Sequence, residues 1–186
     1  MERRELLRWM VATGGMAALH RLSERDVQQL GAAAHHESAK VAPSSLTPEQ
    51  AATITAAAER ILPRTTTPGA TDAGVTAFID TMLAGWYSAT ERGAFLTGIA
   101  TLDDRARKHG ARGFVDISIA QQDEMLTTLD TEVTALRAVS GAAANDHWFA
   151  TLKFLTVWGY CTSEPGMRQT LGAWPLPMRY DGNAPI

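Results

Sequence analysis

The stretch that most constrains the fold runs from Leu62 to Tyr87, LPRTTTPGATDAGVTAFIDTMLAGWY. Pro63 lacks a backbone donor and disfavours helix in the residue before it, so the preceding helix must finish near Leu62. Three threonines, Pro68 and Gly69 then form a loop that cannot be helical. Asp72 is the expected N-cap of the next helix. From there Val75, Phe78, Ile79, Met82, Leu83 and Trp86 recur at helical spacing, leaving Thr76, Asp80, Thr81 and Gly85 for the other faces.

A chain of 186 residues suits one domain with a real core. Its net charge of −3 and scattered basic residues give no Lys/Arg stripe interleaved with aromatics, which argues against a nucleic-acid binder. No apolar run approaches the roughly 20 residues of a spanning helix. The one cysteine, Cys161, excludes an internal disulfide and a cysteine-based zinc cluster. Alanine and threonine are abundant, and alternating β-branched runs are rare. The expected class is all-α: a compact domain of about five helices, with an N-terminal export segment and an irregular, Pro-rich C-terminal tail.

The start, ERRELLRWMVATGGMAALHRL, has a charged opening, a short apolar region and small residues, as export signals do. The pair Arg3 and Arg4, followed by Leu6, Leu7 and Arg8, resembles a twin-arginine signal, the route for folded cargo. On this reading residues 1–34 are the signal segment, with Gly31-Ala32-Ala33-Ala34 as the candidate cleavage zone, and residues 35–46 are a linker. The competing reading is an ordinary N-terminal helix with two solvated arginines, in which Leu22, Val27 and Leu30 form an amphipathic face. His35-His36-Glu37 lacks spaced partner ligands, so it reads as linker rather than metal site.

The helical domain is expected over residues 47–166. Thr47-Pro48-Glu49-Gln50 is a capping box with proline at the first helical position. The helix it opens turns Ile54, Ala57, Ala58, Ile61 and Leu62 inward. Ser88 with Glu91 opens another helix, with Phe95, Leu96, Ile99 and Leu102 inward and a basic end stopping at Gly110. Phe114 and Val115 are expected to tuck into the core. Ser118 with Gln121 opens a helix burying Ile119, Met125, Leu126, Leu129, Val133 and Leu136, which ends before Gly141. Asn145 or Asp146 is expected to cap the last helix, where Trp148, Phe149, Leu152, Phe154, Leu155, Val157, Trp158 and Tyr160 cover most of the circumference. Such a helix is either central or covered on its second face by a partner. Residues 167–186 form the tail, with no helical period.

Catalytic signatures are sparse: no phosphate loop, no HExxH and no nucleophile elbow. His109 lies in a basic helix end, and His147 lies beside Asp146 at a helix start; capping is the default for both. The acidic pairs Asp103-Asp104 and Asp123-Glu124 place neighbouring carboxylates on different helix faces, which disfavours shared acid/base work. Cys161 reads as a small buried side chain, or, in an exported protein, as half of an inter-subunit disulfide. The aromatics Trp148, Trp158, Tyr160, Trp174 and Tyr180 crowd the chain's last quarter, which marks that end as partner-facing.

ERILPRTTTPGATDAGVTAFIDTMLAGWY, the FVDIS–QQ stretch of Phe114 to Gln122, and KFLTVWGYCTSEPGM together resemble the gluconate 2-dehydrogenase subunit 3 family. These are small, gamma-type subunits of bacterial flavin-dependent sugar and alcohol dehydrogenases. The resemblance covers about Thr47 to Met167. It implies a non-catalytic subunit that binds no cofactor. Its implied partner is a large flavoprotein of the glucose–methanol–choline type that carries FAD, with a c-type cytochrome often taking the electrons onward. The small subunit would aid maturation of its partner and carry it to the periplasm. The resemblance transfers no catalytic or metal residue. It marks the Pro63–Gly74 loop (Pro63, Arg64, Thr67, Pro68) and the Gly159–Gly166 segment (Tyr160, Cys161) as candidate interface. The rival expectations are an autonomous helical enzyme using His109, His147 and carboxylates, and a free-standing envelope protein on the same scaffold.

Overall fold

The computed structural model describes residues 23–40 and 45–171. Within them the chain is helical with no strand: α1 (Glu24–Lys40), α2 (Pro48–Ile61), α3 (Val75–Gly85), α4 (Ala89–Lys108), a 3-10 turn (Phe114–Asp116), α5 (Ile119–Ser140), a second 3-10 turn (Gly141–Asp146), α6 (Trp148–Thr162) and a π turn (Gly166–Thr170). The expected helices are α2 to α6, and α1 adds to them. Arg3, Arg4, Trp174 and Tyr180 lie outside the described residues.

The local start signals act as expected. Thr47, Ser88 and Ser118 each cap a helix in a reciprocal box with Gln50, Glu91 and Gln121. Each box satisfies two backbone donors that would otherwise lack partners. Two other caps differ from expectation. Gly74, in the left-handed region at φ 66°, precedes α3, and Asp72 turns away to other partners. His147, not Asn145 or Asp146, caps α6, its imidazole accepting from the Phe149 N–H at 3.2 Å.

The core joins all six α-helices through residues such as Ile54, Phe78, Ile99, Phe114, Leu129 and Leu152. α3 is the most enclosed helix: even Asp80 and Thr81, expected on outer faces, are buried. Asp80 is satisfied there by the Ser45 backbone N–H at 3.1 Å and by the Ser45 hydroxyl. Ser45 thus anchors the end of the expected linker. The start of that linker differs more, because residues 35–40 continue α1. α1 packs on α3 and α6, with the His35 ring 4.9 Å from that of Phe78.

The FVDIS–QQ stretch is a structural clasp. The Phe114 N–H donates to Asp103 at 2.8 Å, and its carbonyl accepts from Gln122 at 3.0 Å. That leaves Phe114 wholly buried between α4 and α5, while Val115, expected inside, is 47% exposed. Ile119 and Leu136 are also exposed, at 61% and 39%. Ile119 is the first residue of α5 and Leu136 is near its end, so the apolar period of α5 outruns the body that covers it. Charged clamps fix α5 from three sides: Arg60 to Asp123 at 2.7 Å, Arg105 to Glu132 at 2.9 Å, and Lys153 to Asp130 at 2.6 Å.

α6 crosses the core closely enough that a Cβ on Gly159 would sit 2.7 Å from a Phe78 ring carbon. Gly159→Ala is therefore expected to cost about 1–3 kcal/mol by overpacking. Gly93→Ala, in open space within α4, is expected to stabilise by up to about 1 kcal/mol. Denaturant unfolding of the two variants checks both signs.

Candidate functional site

The Pro63–Gly74 loop has backbone donors that no helix can satisfy, and two carboxylates meet them. Glu59, in the last turn of α2, accepts from the N–H groups of Arg64 and Thr71, each at 2.9 Å. Burial opposes ionisation of Glu59. The N–H donors of Thr71 and Arg64, with the Arg64 charge, outweigh it and hold the carboxyl below its ordinary range. Asp72 accepts from the Gly69 N–H at 2.9 Å and pairs with the Arg64 guanidinium. Ala70 N–H closes the loop onto Leu62 O at 2.9 Å. Gly69 and Ala70 are buried, Thr67 and Pro68 are half-buried, and Pro63 and Arg64 are exposed.

The end of α6 reaches the same place. The Tyr160 hydroxyl donates to Pro68 O at 2.7 Å and shares a hydrogen bond with the Thr170 hydroxyl at 2.6 Å. Beneath it Ser163 Oγ donates to Tyr160 O at 2.7 Å and accepts from the Gly166 N–H at 3.0 Å. The loop, the end of α6 and the π turn are thus one unit. The two segments marked by the resemblance are joined through a single phenol.

This placement corrects part of the surface expected from sequence. Trp158 and Tyr160 are each only 5% exposed. Trp158 meets Phe78 edge-on at 5.4 Å and lies 5.5 Å from Phe154. Both residues support the site from within. What α6 presents outward is Phe154 and Cys161, half-buried, and Val157, 44% exposed, which share a face by their helical spacing. Leu171, 55% exposed, ends the π turn. Burial pushes the Cys161 thiol pKa up, which lowers its thiolate fraction.

The histidines do not gather into a second site. His109 is exposed and lines an open cleft of about 460 Å³ with Arg105, Lys108, Ile117, Glu124 and Met125. Arg105 there is engaged with Glu132, and the one hydroxyl in the lining, Thr128, donates to its own helix at Glu124 O, 2.9 Å away. His147 is absent from the lining and serves as a cap. The acidic pairs split as expected: Asp103 faces Phe114 and Asp104 faces Arg107, while Asp123 holds Arg60 and Glu124 faces the cleft. His35, read as linker, bonds Gly159 O through Nε2 at 2.7 Å. Among the described residues no three His, Cys, Asp or Glu side chains converge as a metal site. No described helix is long and apolar enough to cross a membrane.

Sequence reasoning missed Glu59, Asp72, Thr170 and His35 as organisers of this region. One usable signal was the loop itself: a Pro- and Gly-marked turn next to a helix end needs acceptors, and Glu59 is the nearest preceding carboxylate.

Fold and site together define a small all-helical domain whose best-organised surface is a loop–helix platform. The chain matches the family model of gluconate 2-dehydrogenase subunit 3 over residues 48–179. It belongs to that family, and so to the subunits of dehydrogenase complexes. The match starts at the first residue of α2 and runs beyond the π turn into the tail. No curated protein and no solved structure matches it.

Burial lowers the pKa of both His35 and His147. At His35 the bond to Gly159 opposes the shift; at His147 Glu132 opposes it and Arg105 adds to it. Each is favoured neutral in the fold, so the unfolded chain binds more protons between the folded and unfolded pKa values. Their stabilisation is full above about pH 6.5 and is lost as pH falls through the lowered folded values. His147→Asn keeps a capping oxygen but cannot titrate. Its unfolding free energy is expected to fall less steeply than the parent's just below that pH, as measured by denaturant titration across a pH series.

Proposed function

We propose that this chain is the small, non-catalytic subunit of an exported FAD-dependent sugar or alcohol dehydrogenase of the glucose–methanol–choline type. The observation that carries the reading is the family match over residues 48–179. Within it, the loop and the end of α6 are joined by Tyr160 into one rigid element with an exposed edge.

In this reading the platform of Pro63, Arg64, Thr67 and Pro68, with the Phe154–Val157–Cys161 face, receives the large flavoprotein. Trp158 and Tyr160 hold that platform from behind. Trp174 and Tyr180 add to the contact from the tail. FAD and the reacting substrate belong to the large subunit, and this chain supplies docking, help in maturation and the export signal. A c-type cytochrome is the onward electron acceptor, and contact with the membrane comes through the complex. Arg3 and Arg4 direct the assembled pair to the periplasm by the twin-arginine route. In that oxidising space Cys161 and a cysteine of the large subunit form an inter-subunit disulfide by exchange with an oxidised dithiol-disulfide oxidant, which takes up the two electrons and two protons the thiols lose.

Affinity purification of the tagged chain from its native host tests this. The expected eluate contains a larger protein with flavin absorbance in the visible spectrum. Arg3→Lys combined with Arg4→Lys is expected to leave both proteins in the cytoplasm. A colourless lone chain recovered under gentle conditions would contradict the reading.

A further inference from the structure

Ahead of the family-matched segment, which begins at residue 48, lies a helix with no counterpart in the match. α1 nevertheless fills the seam between α3 and α6. Leu30 is 6% exposed and Ala34 fully buried. Gly31 lies so close to α6 that a Cβ there would overlap the Thr162 side chain. One turn on, the His35 ring packs 4.9 Å from Phe78, and its Nε2 bonds Gly159 O at 2.7 Å.

These contacts give the Gly31-Ala32-Ala33-Ala34 run a cause other than peptidase recognition. Gly31 and Ala34 are spaced i, i+3 on the face of α1 that meets the core. Small residues on that face let two helices approach closely. Proteolytic trimming acts on exposed or locally opened backbone. Here the small-residue run is helical, and two of its four residues are buried.

We infer that α1 is a permanent part of the folded domain, so that any removal of the N-terminal segment falls ahead of Ser23. This rests on the export reading only for where the cut occurs; the lasting attachment of α1 stands on its packing.

Two measurements on the full-length chain separate these. The first is the intact mass of the protein recovered from the periplasm. The inference expects an N-terminus at Ser23 or earlier, and an N-terminus anywhere from Glu24 to His35, inside α1, would overturn it. The second is brief thermolysin digestion of the purified chain, read by mass spectrometry. The first cuts are expected ahead of Ser23, with Leu30–His35 surviving in the resistant body. Rapid cuts within Leu30–His35 that leave the remaining body intact would overturn the inference. If the chain never leaves the cytoplasm, the export reading fails, and the digestion alone decides the fate of α1.

Discussion

The hydroxyl of Tyr160 is the contact on which the platform depends. A loop broken by Pro63, Pro68 and Gly69 cannot satisfy its own backbone through a helix, and Pro68 O lies at the edge of the core. Tyr160 reaches it at 2.7 Å and turns its other capacity to Thr170. A hydroxyl can donate once and still accept, so one side chain joins the loop to the π turn. Because Tyr160 is buried, loss of its partners would leave a polar group unpaired at a cost of about 1–3 kcal/mol. Glu59 and Asp72 do the same work from the loop's other side through N–H acceptance.

The rest of the molecule positions this unit. α6 lies against α3 through the close approach of Gly159 to Phe78, and α1 closes over both through His35. Clamps to Arg60, Arg105 and Lys153 hold α5 in place. The polar groups that first suggest chemistry have structural roles. His147 begins a helix, Asp103 and Gln122 secure Phe114, and His35 seals a helix seam. The cleft beside His109 brings together a histidine and a carboxylate, but its hydroxyl is bonded to its own backbone and its arginine to Glu132.

Features set by short-range chemistry were legible in the sequence. Capping boxes at Thr47, Ser88 and Ser118 depend on residues three apart, and all three formed. The all-helical class followed from the apolar spacing. Features set by distant neighbours were not legible. Asp72 has the right chemistry for a cap but is drawn to Arg64 and Gly69. Periodicity could not show where the body covering α5 ends, so Ile119 and Leu136 read as core. Trp158 and Tyr160 looked partner-facing because aromatics crowd the chain after residue 145, and an α6 apolar almost all round fits either a central or a partner-covered helix; only the placement of α1, α3 and the loop reveals which faces are already covered. The His35 segment, polar in sequence, continues α1: His35 is held against Phe78 and Gly159 O by distant parts of the chain, while His36 and Glu37 stay exposed. Of the platform, its two segments were visible as motifs, while their junction required the fold.

We propose that the loop and the outward face of α6 form the surface on which the larger subunit sits. Hydrogen exchange of this chain, measured alone and within the co-purified complex, tests it most directly. Added protection in the complex is expected at residues 63–68 and 154–161, with the cleft residues 105–109 and 121–128 unchanged. Protection confined to that cleft, with the loop exchanging as in the free chain, would contradict it.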